Sequence, residues 1–159
     1  MVTLSKSLKI TTHLWFDTEA KAAAKFYTAI FPKSKIISKS VLHNTPSGSV
    51  DIVEIELLGQ RFTLISAGPF FKFNESISFI VNCKDQKEID YFWKKLSADP
   101  KAEQCGWCKD KYGLSWQIVP IILQKMLKTK SPKKKKAVTE SFLKMKKLNI
   151  AELHKAYQG

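Results

Sequence analysis

Arginine is almost absent from this 159-residue chain, since Arg61 is the single one among 27 basic residues. Base edges and bidentate phosphate clamps favour the planar guanidinium fork, so sequence-specific DNA recognition is not expected and nucleic acid is not an expected partner. Glycine is also scarce, with 6 residues and no G-x-G cluster, so the Gly-rich turn that commonly cradles a nucleotide or methyl-donor cofactor is missing. No apolar run approaches the roughly 18 residues that a membrane span needs, and Ile118 to Leu123 is interrupted by Pro120. No membrane partner is expected. Met1 to Lys9 contains lysines and serines but no apolar core of a secretory signal, so a cytoplasmic address is the expectation.

What is present is an ordinary folding composition, 44% hydrophobic and 26% charged, in a length suited to one domain or two small modules sharing a core. The net charge of +13 is lopsided. Residues 121–159 carry 11 lysines against Glu140 and Glu152, leaving only +4 to the first 120 residues. The run Lys133 to Lys136 has two readings: an import signal or salt-sensitive phosphate contact, or a solvated start to a terminal helix. The second is preferred, and polyanion binding through the lysine-rich tail stays as an alternative.

The first half alternates in a regular order. A strand over residues 10–16 puts Thr11, His13 and Trp15 on one face, and Asp17 or Thr18 is placed to cap the alanine-rich helix Glu19 to Phe31. Strands over 35–42, 49–57 and 61–66 follow, punctuated by Pro46-Ser47-Gly48 and Leu58-Gly59-Gln60. The order then restarts. A strand over 76–82 leads to a helix ending at Ser97 with Ile89, Phe92, Trp93 and Leu96 on one face, then strands over 104–109 and 114–120. Gly59-Gln60-Arg61-Phe62-Thr63-Leu64 aligns with Gly113-Leu114-Ser115-Trp116-Gln117-Ile118, which reads as a degenerate duplication. Val138, Phe142 and Met145 share a face of a helix over 137–147, and a short helix runs from Ile150 or Ala151 to Tyr157.

These stretches carry a resemblance. Thr11-Thr12-His13-Leu14-Trp15-Phe16-Asp17, Ile30-Phe31-Pro32, Gln104-Cys105-Gly106-Trp107 and Trp116-Gln117-Ile118-Val119-Pro120 are similar to the vicinal-oxygen-chelate superfamily of glyoxalases, bleomycin-resistance proteins and dioxygenases. More narrowly, the chain resembles the PhnB-like branch labelled 3-demethylubiquinone 3-methyltransferase, from about residue 8 through Leu143 to Leu148 and Ala156-Tyr157. The resemblance implies an α+β fold of two β-α-β-β-β modules, 8–67 and 74–123, forming a cupped mixed sheet, with a lysine-rich helical arm over 124–159. It also implies a homodimer and a small-molecule ligand in the cup.

In that superfamily a metal sits on first- and last-strand ligands of each module. Carried over, those positions fall on Thr11, with His13 two residues on, Thr63, Ser76 and Gln117. Only His13 is a good ligand, because neutral Ser, Thr and Gln lack the charge and basicity that zinc, iron or manganese needs. No metal or other cofactor is expected, and a divalent ion through His13 is disfavoured. The methyltransferase label also lacks its Gly-rich turn and is kept as an alternative.

His13 is a candidate acid, base or substrate anchor, or else a hydrogen-bonded cavity histidine. Gln117 is a candidate to orient a ligand carbonyl or amine, or else a bridge between strands. Thr11, Thr63, Ser76, Ser78 and Cys105 are further ligand contacts, with Trp15 and Trp107 as pocket aromatics alongside Phe71 and Phe73, while Trp116 belongs to the core. Cys105-Gly106-Trp107-Cys108 has C-x-x-C spacing on a strand instead of at a helix start, so it is neither a redox pair nor half a zinc site.

Overall fold

The computed structural model describes residues 9–159, and the stretch read for a secretory signal lies almost wholly outside them. The chain divides into two compact units, one up to Lys72 and one from Phe73.

The first unit is the four-stranded half of the duplication: β1 (Thr12–Phe16), α1 (Ala20–Ile30), β2 (Lys35–Thr45), β3 (Gly48–Leu57) and β4 (Gln60–Ser66), in sheet order β1-β4-β3-β2. β1 and β4 run parallel, with His13 opposite Thr63, and the remaining pairs are antiparallel. Leu14, Phe16, Val53, Ile55, Phe62 and Leu64 share one sheet face and are buried with Ala20, Ala23, Ala24, Tyr27 and Ile30 of α1. The small alanines let the helix lie close to the sheet, and Lys21 pairs with Asp51 at 2.6 Å along the same contact. The cap of α1 differs from the expectation. Neither Asp17 nor Thr18 supplies it; Ser66 at the end of β4 accepts the Ala20 N–H at 2.9 Å, which the parallel pairing of β1 and β4 makes possible.

The second unit contains β5 (Ser78–Cys83), α2 (Gln86–Leu96), β6 (Trp107–Lys109) and β7 (Ser115–Pro120), in sheet order β5-β7-β6. Val81, Cys83, Cys108, Trp116 and Ile118 are buried with Ile89, Phe92 and Leu96 of α2, so Trp116 is core as expected. Asp85 caps α2 by accepting the Glu88 N–H at 2.9 Å. This half keeps three of the four strands. The residues that would make the counterpart of β2 contain Asp99-Pro100, and they form a 3-10 turn over Pro100–Ala102. β6 is also shorter than the strand expected over 104–109, because Cys105 and Gly106 both adopt positive φ, 53° and 86°. β5 begins two residues late because Asn74 closes a turn onto the Ser76 N–H at 3.0 Å.

Three helices complete this unit: α3 (Ile121–Leu127), α4 (Pro132–Phe142) and α5 (Ile150–Gln158). They share a core of Leu123, Met126, Val138, Leu148 and Leu153. α4 starts a turn before the helix expected over 137–147, because Ser131 accepts the Lys134 N–H and Pro132 fits a first-turn position. Lys133 to Lys136 therefore lie within the helix and not ahead of it. Lys134 sits 4.8 Å from the Tyr157 ring centroid, and Lys136 lies 3.8 Å from Glu140. No helix among the described residues is long and apolar enough to cross a membrane.

Candidate functional site

The second unit carries an open cavity of about 590 Å³ against the sheet face that α2 leaves uncovered. β-strand parity places Ser115, Gln117 and Val119 of β7 on that face, with Trp107 and Lys109 of β6 paired beside them, and all five line the cavity. Leu123 of α3, and Phe142 and Leu143 at the end of α4, form another part of the lining.

Two polar groups of the lining stand out. Gln117 donates through Nε2 to Ser78 Oγ at 2.9 Å, a diagonal contact across the β5–β7 pair. Ser115 is only 1% exposed, and its hydroxyl has no hydrogen-bond partner among the described residues. Such a buried hydroxyl costs about 1–3 kcal/mol until a partner reaches it. The charges in the lining cancel. Lys109 pairs with Glu75 at 2.5 Å, and that contact, chiefly the hydrogen bond, holds the Glu75 carboxyl below the usual glutamate range.

A buried carboxylate braces the turn between β6 and β7. Asp110 is 3% exposed and accepts the Trp116 indole N–H at 2.8 Å, the Tyr112 N–H at 2.9 Å and the Leu114 N–H at 3.1 Å. It thereby sets the register in which Ser115 and Gln117 face the cavity. The sequence marks Asp110 only as the start of a turn running to Gly113; its hold on the Trp116 indole belongs to the tertiary fold.

Gln117, Cys105 and Trp107 are thus brought together at one cavity, with Ser78 behind Gln117. Cys105 is part of the positive-φ turn, and its thiol lies 3.5 Å from the Leu143 carbonyl. All three cysteines are free. Burial pushes the Cys108 thiol up to about 12, with Asp110 and Glu103 adding to the effect, which makes it a poor nucleophile. Ser76 is exposed in the Asn74 turn. When Thr63 is matched to Gln117, the strand registers make Ser78 the counterpart of Thr11, and Ile80 that of His13.

The other candidates belong to the first unit. His13, Thr63, Glu54 and Ser38 form one row across its four strands, on the face turned away from α1. Glu54 is the carboxylate that the sequence did not show near His13; two strand spacings separate them, roughly 10 Å, and its Oε2 accepts from Ser38 at 2.9 Å. Thr11 is exposed just before β1. Trp15 is committed to structure: its indole N–H donates to the Gly68 carbonyl at 2.8 Å and its ring meets Phe71 edge-on at 5.0 Å.

The family model described as 3-demethylubiquinone-9 3-methyltransferase matches residues 8–119. The chain belongs to that family. A putative 3-demethylubiquinone-9 3-methyltransferase, the PhnB protein from Bacillus cereus, is 34% identical with a TM-score of 0.60, over 71% of this chain and 99% of its own. The two matches set the chain in the PhnB-like branch of the glyoxalase-like superfamily. The protein PA1353 from Pseudomonas aeruginosa, at 14% identity, a TM-score of 0.54 and coverage of 72% and 98%, shares the fold alone. No curated protein matches the chain. The family match ends at 119, short of the C-terminal stretch that the resemblance had taken in.

This PhnB-like chain does not fit the superfamily's metal. Its corresponding positions offer the His13 imidazole and otherwise neutral oxygen or amide groups. Among the described residues, no group of three or more His, Cys, Asp or Glu comes close enough to hold an ion.

Proposed function

We propose that this PhnB-like protein binds a small organic molecule in the cavity of its second unit, with Gln117 and Ser115 as the polar contacts and without a resident metal. The observation that carries this reading is the unpartnered Ser115 hydroxyl in the lining. The Ser115 hydroxyl is covered in the free protein, so a ligand carbonyl or hydroxyl would reach it, and remove its desolvation cost, only as the side chains over it part; Gln117, held by Ser78, has an amide carbonyl to offer a second donor. Trp107 supplies a flat apolar surface beside them.

The family's name also describes methyl transfer to a demethylubiquinone, and that reaction is the alternative. The positive-φ glycines 48, 59, 68, 106 and 113 are dispersed among separate turns, which gives no Gly-rich cofactor cradle in its support.

The test is a thermal-shift screen of small aromatic and aliphatic alcohols and ketones against wild type, Trp107→Ala and Ser115→Ala. A ligand at 100 times its Kd stabilises by about 2.7 kcal/mol, so binding raises the melting temperature of wild type and much less that of the variants. Equal shifts in all three would remove this cavity as the site. Metal analysis of protein purified without chelator is expected to find no stoichiometric transition metal; one that disappears in His13→Ala would restore a metalloprotein.

A further inference from the structure

We propose that the C-terminal extension beyond residue 119 is the specificity element of this cavity. It supplies the wall against which the apolar body of a neutral ligand rests, while the ligand's single polar group meets Ser115 and Gln117. The proposal rests on the cavity being the ligand site.

The part of the chain that matches the family ends before this wall begins. The family match stops at 119, yet Leu123, Phe142 and Leu143 all line the cavity. The extension is fastened to the sheet instead of lying loosely beside it. The Cys105 N–H donates to the Met145 carbonyl at 2.7 Å and the Gly106 N–H to the Lys146 carbonyl at 2.8 Å, in the region where the fourth strand is missing. Gly106 makes that approach possible: a Cβ there would stand 3.1 Å from both the Leu148 side chain and the Ile118 carbonyl, and its φ is 86°. Behind the wall, the Leu123, Val138, Leu148 and Leu153 core fixes α3, α4 and α5 together.

Charge selects the ligand class. Glu75 and Lys109, the two charged residues of the lining, already pair with each other where Glu75 meets solvent, so the lining offers an ionic ligand no unpaired countercharge. A neutral molecule with one hydrogen-bonding group needs none. Leu143 is the point of leverage, because it is 51% exposed and can change without disturbing the extension's core.

The test uses the full-length protein and the neutral fluorescent probe N-phenyl-1-naphthylamine, displaced by straight-chain 1-alkanols of increasing length. Wild type is expected to bind one probe per chain. Leu143→Arg should weaken binding about tenfold through the loss of apolar contact, whereas Ile121→Arg, an exposed change on the same extension but outside the lining, should leave it unaltered. Phe142→Ala should shift the preferred alkanol to a longer chain. Binding lost in Trp107→Ala but unchanged in affinity and chain preference by Leu143→Arg and Phe142→Ala would overturn the wall's role and leave the cavity standing as a site. Failure of wild type to bind the probe or any alkanol would overturn both.

Discussion

Gln117 reaches from β7 to β5 and donates its amide to Ser78 at 2.9 Å, beside a Ser115 hydroxyl that has no partner among the described residues. One polar group of the cavity is therefore held in place and the other is left unpaired. The two should respond oppositely in the free protein. Ser78→Ala removes a hydrogen bond and is expected to lower stability by about 1 kcal/mol, whereas Ser115→Ala removes an unsatisfied buried hydroxyl and should leave stability unchanged or raise it by about 1 kcal/mol. Urea unfolding measures both. A loss above about 1 kcal/mol in Ser115→Ala would show that the hydroxyl is already satisfied.

Asp110 is predicted to be the most sensitive polar position of the second unit. Asp110→Ala removes the acceptor of three hydrogen bonds and should cost about 3–5 kcal/mol, with Asp110→Asn falling between the variant and wild type because one carbonyl oxygen remains. Trp116 fluorescence should shift in both variants. Wild-type stability in Asp110→Ala would remove the brace from the account.

The duplication was legible because strand and helix periods are written in contiguous residues: the first unit matches its expected strands and helix to within a few residues. The features that were missed depend on partners distant in sequence. Ser66 caps a helix that starts 46 residues earlier, and Met145 and Lys146 meet the Cys105-Gly106 turn across about 40 residues of chain. Parity around Gly106 was also illegible, since two successive positive-φ residues break the alternation on which strand reading depends. Gln117, Trp107 and Cys105 could be named from the sequence; that Leu123, Phe142 and Leu143 would line a cavity with them required the tertiary fold.

Acid should release the Glu75–Lys109 pair. The Glu75 carboxyl titrates below its ordinary range in the folded protein, chiefly because Lys109 donates to it, so its contribution is fully present above the ordinary glutamate value. That contribution is lost as pH falls through the depressed folded value. A carbon-13 NMR titration of Glu75 should show the low midpoint, and Lys109→Met should move it upward toward an ordinary glutamate. An unchanged midpoint in Lys109→Met would contradict the pairing.

Thiol chemistry should separate the three cysteines. Cys83 and Cys108 are buried and their thiols are raised to about 12, mainly by burial and secondarily by nearby carboxylates, so they are shielded and protonated near neutral pH. Cys105 is half-buried in the cavity lining. A disulfide reagent at mildly alkaline pH is expected to modify Cys105 alone in the native protein and all three in denaturant. Native modification that persists in Cys105→Ser would contradict this ordering.

The most direct test of the central claim is nitrogen-15 NMR mapping of a neutral alcohol or ketone that stabilises the protein in the thermal-shift screen. Saturable shifts of the Trp107, Ser115, Gln117, Leu123 and Leu143 amides are predicted. Saturable shifts confined to the first unit, around His13, Trp15 and Thr63, would contradict it and move the site to the face that carries the His13 row.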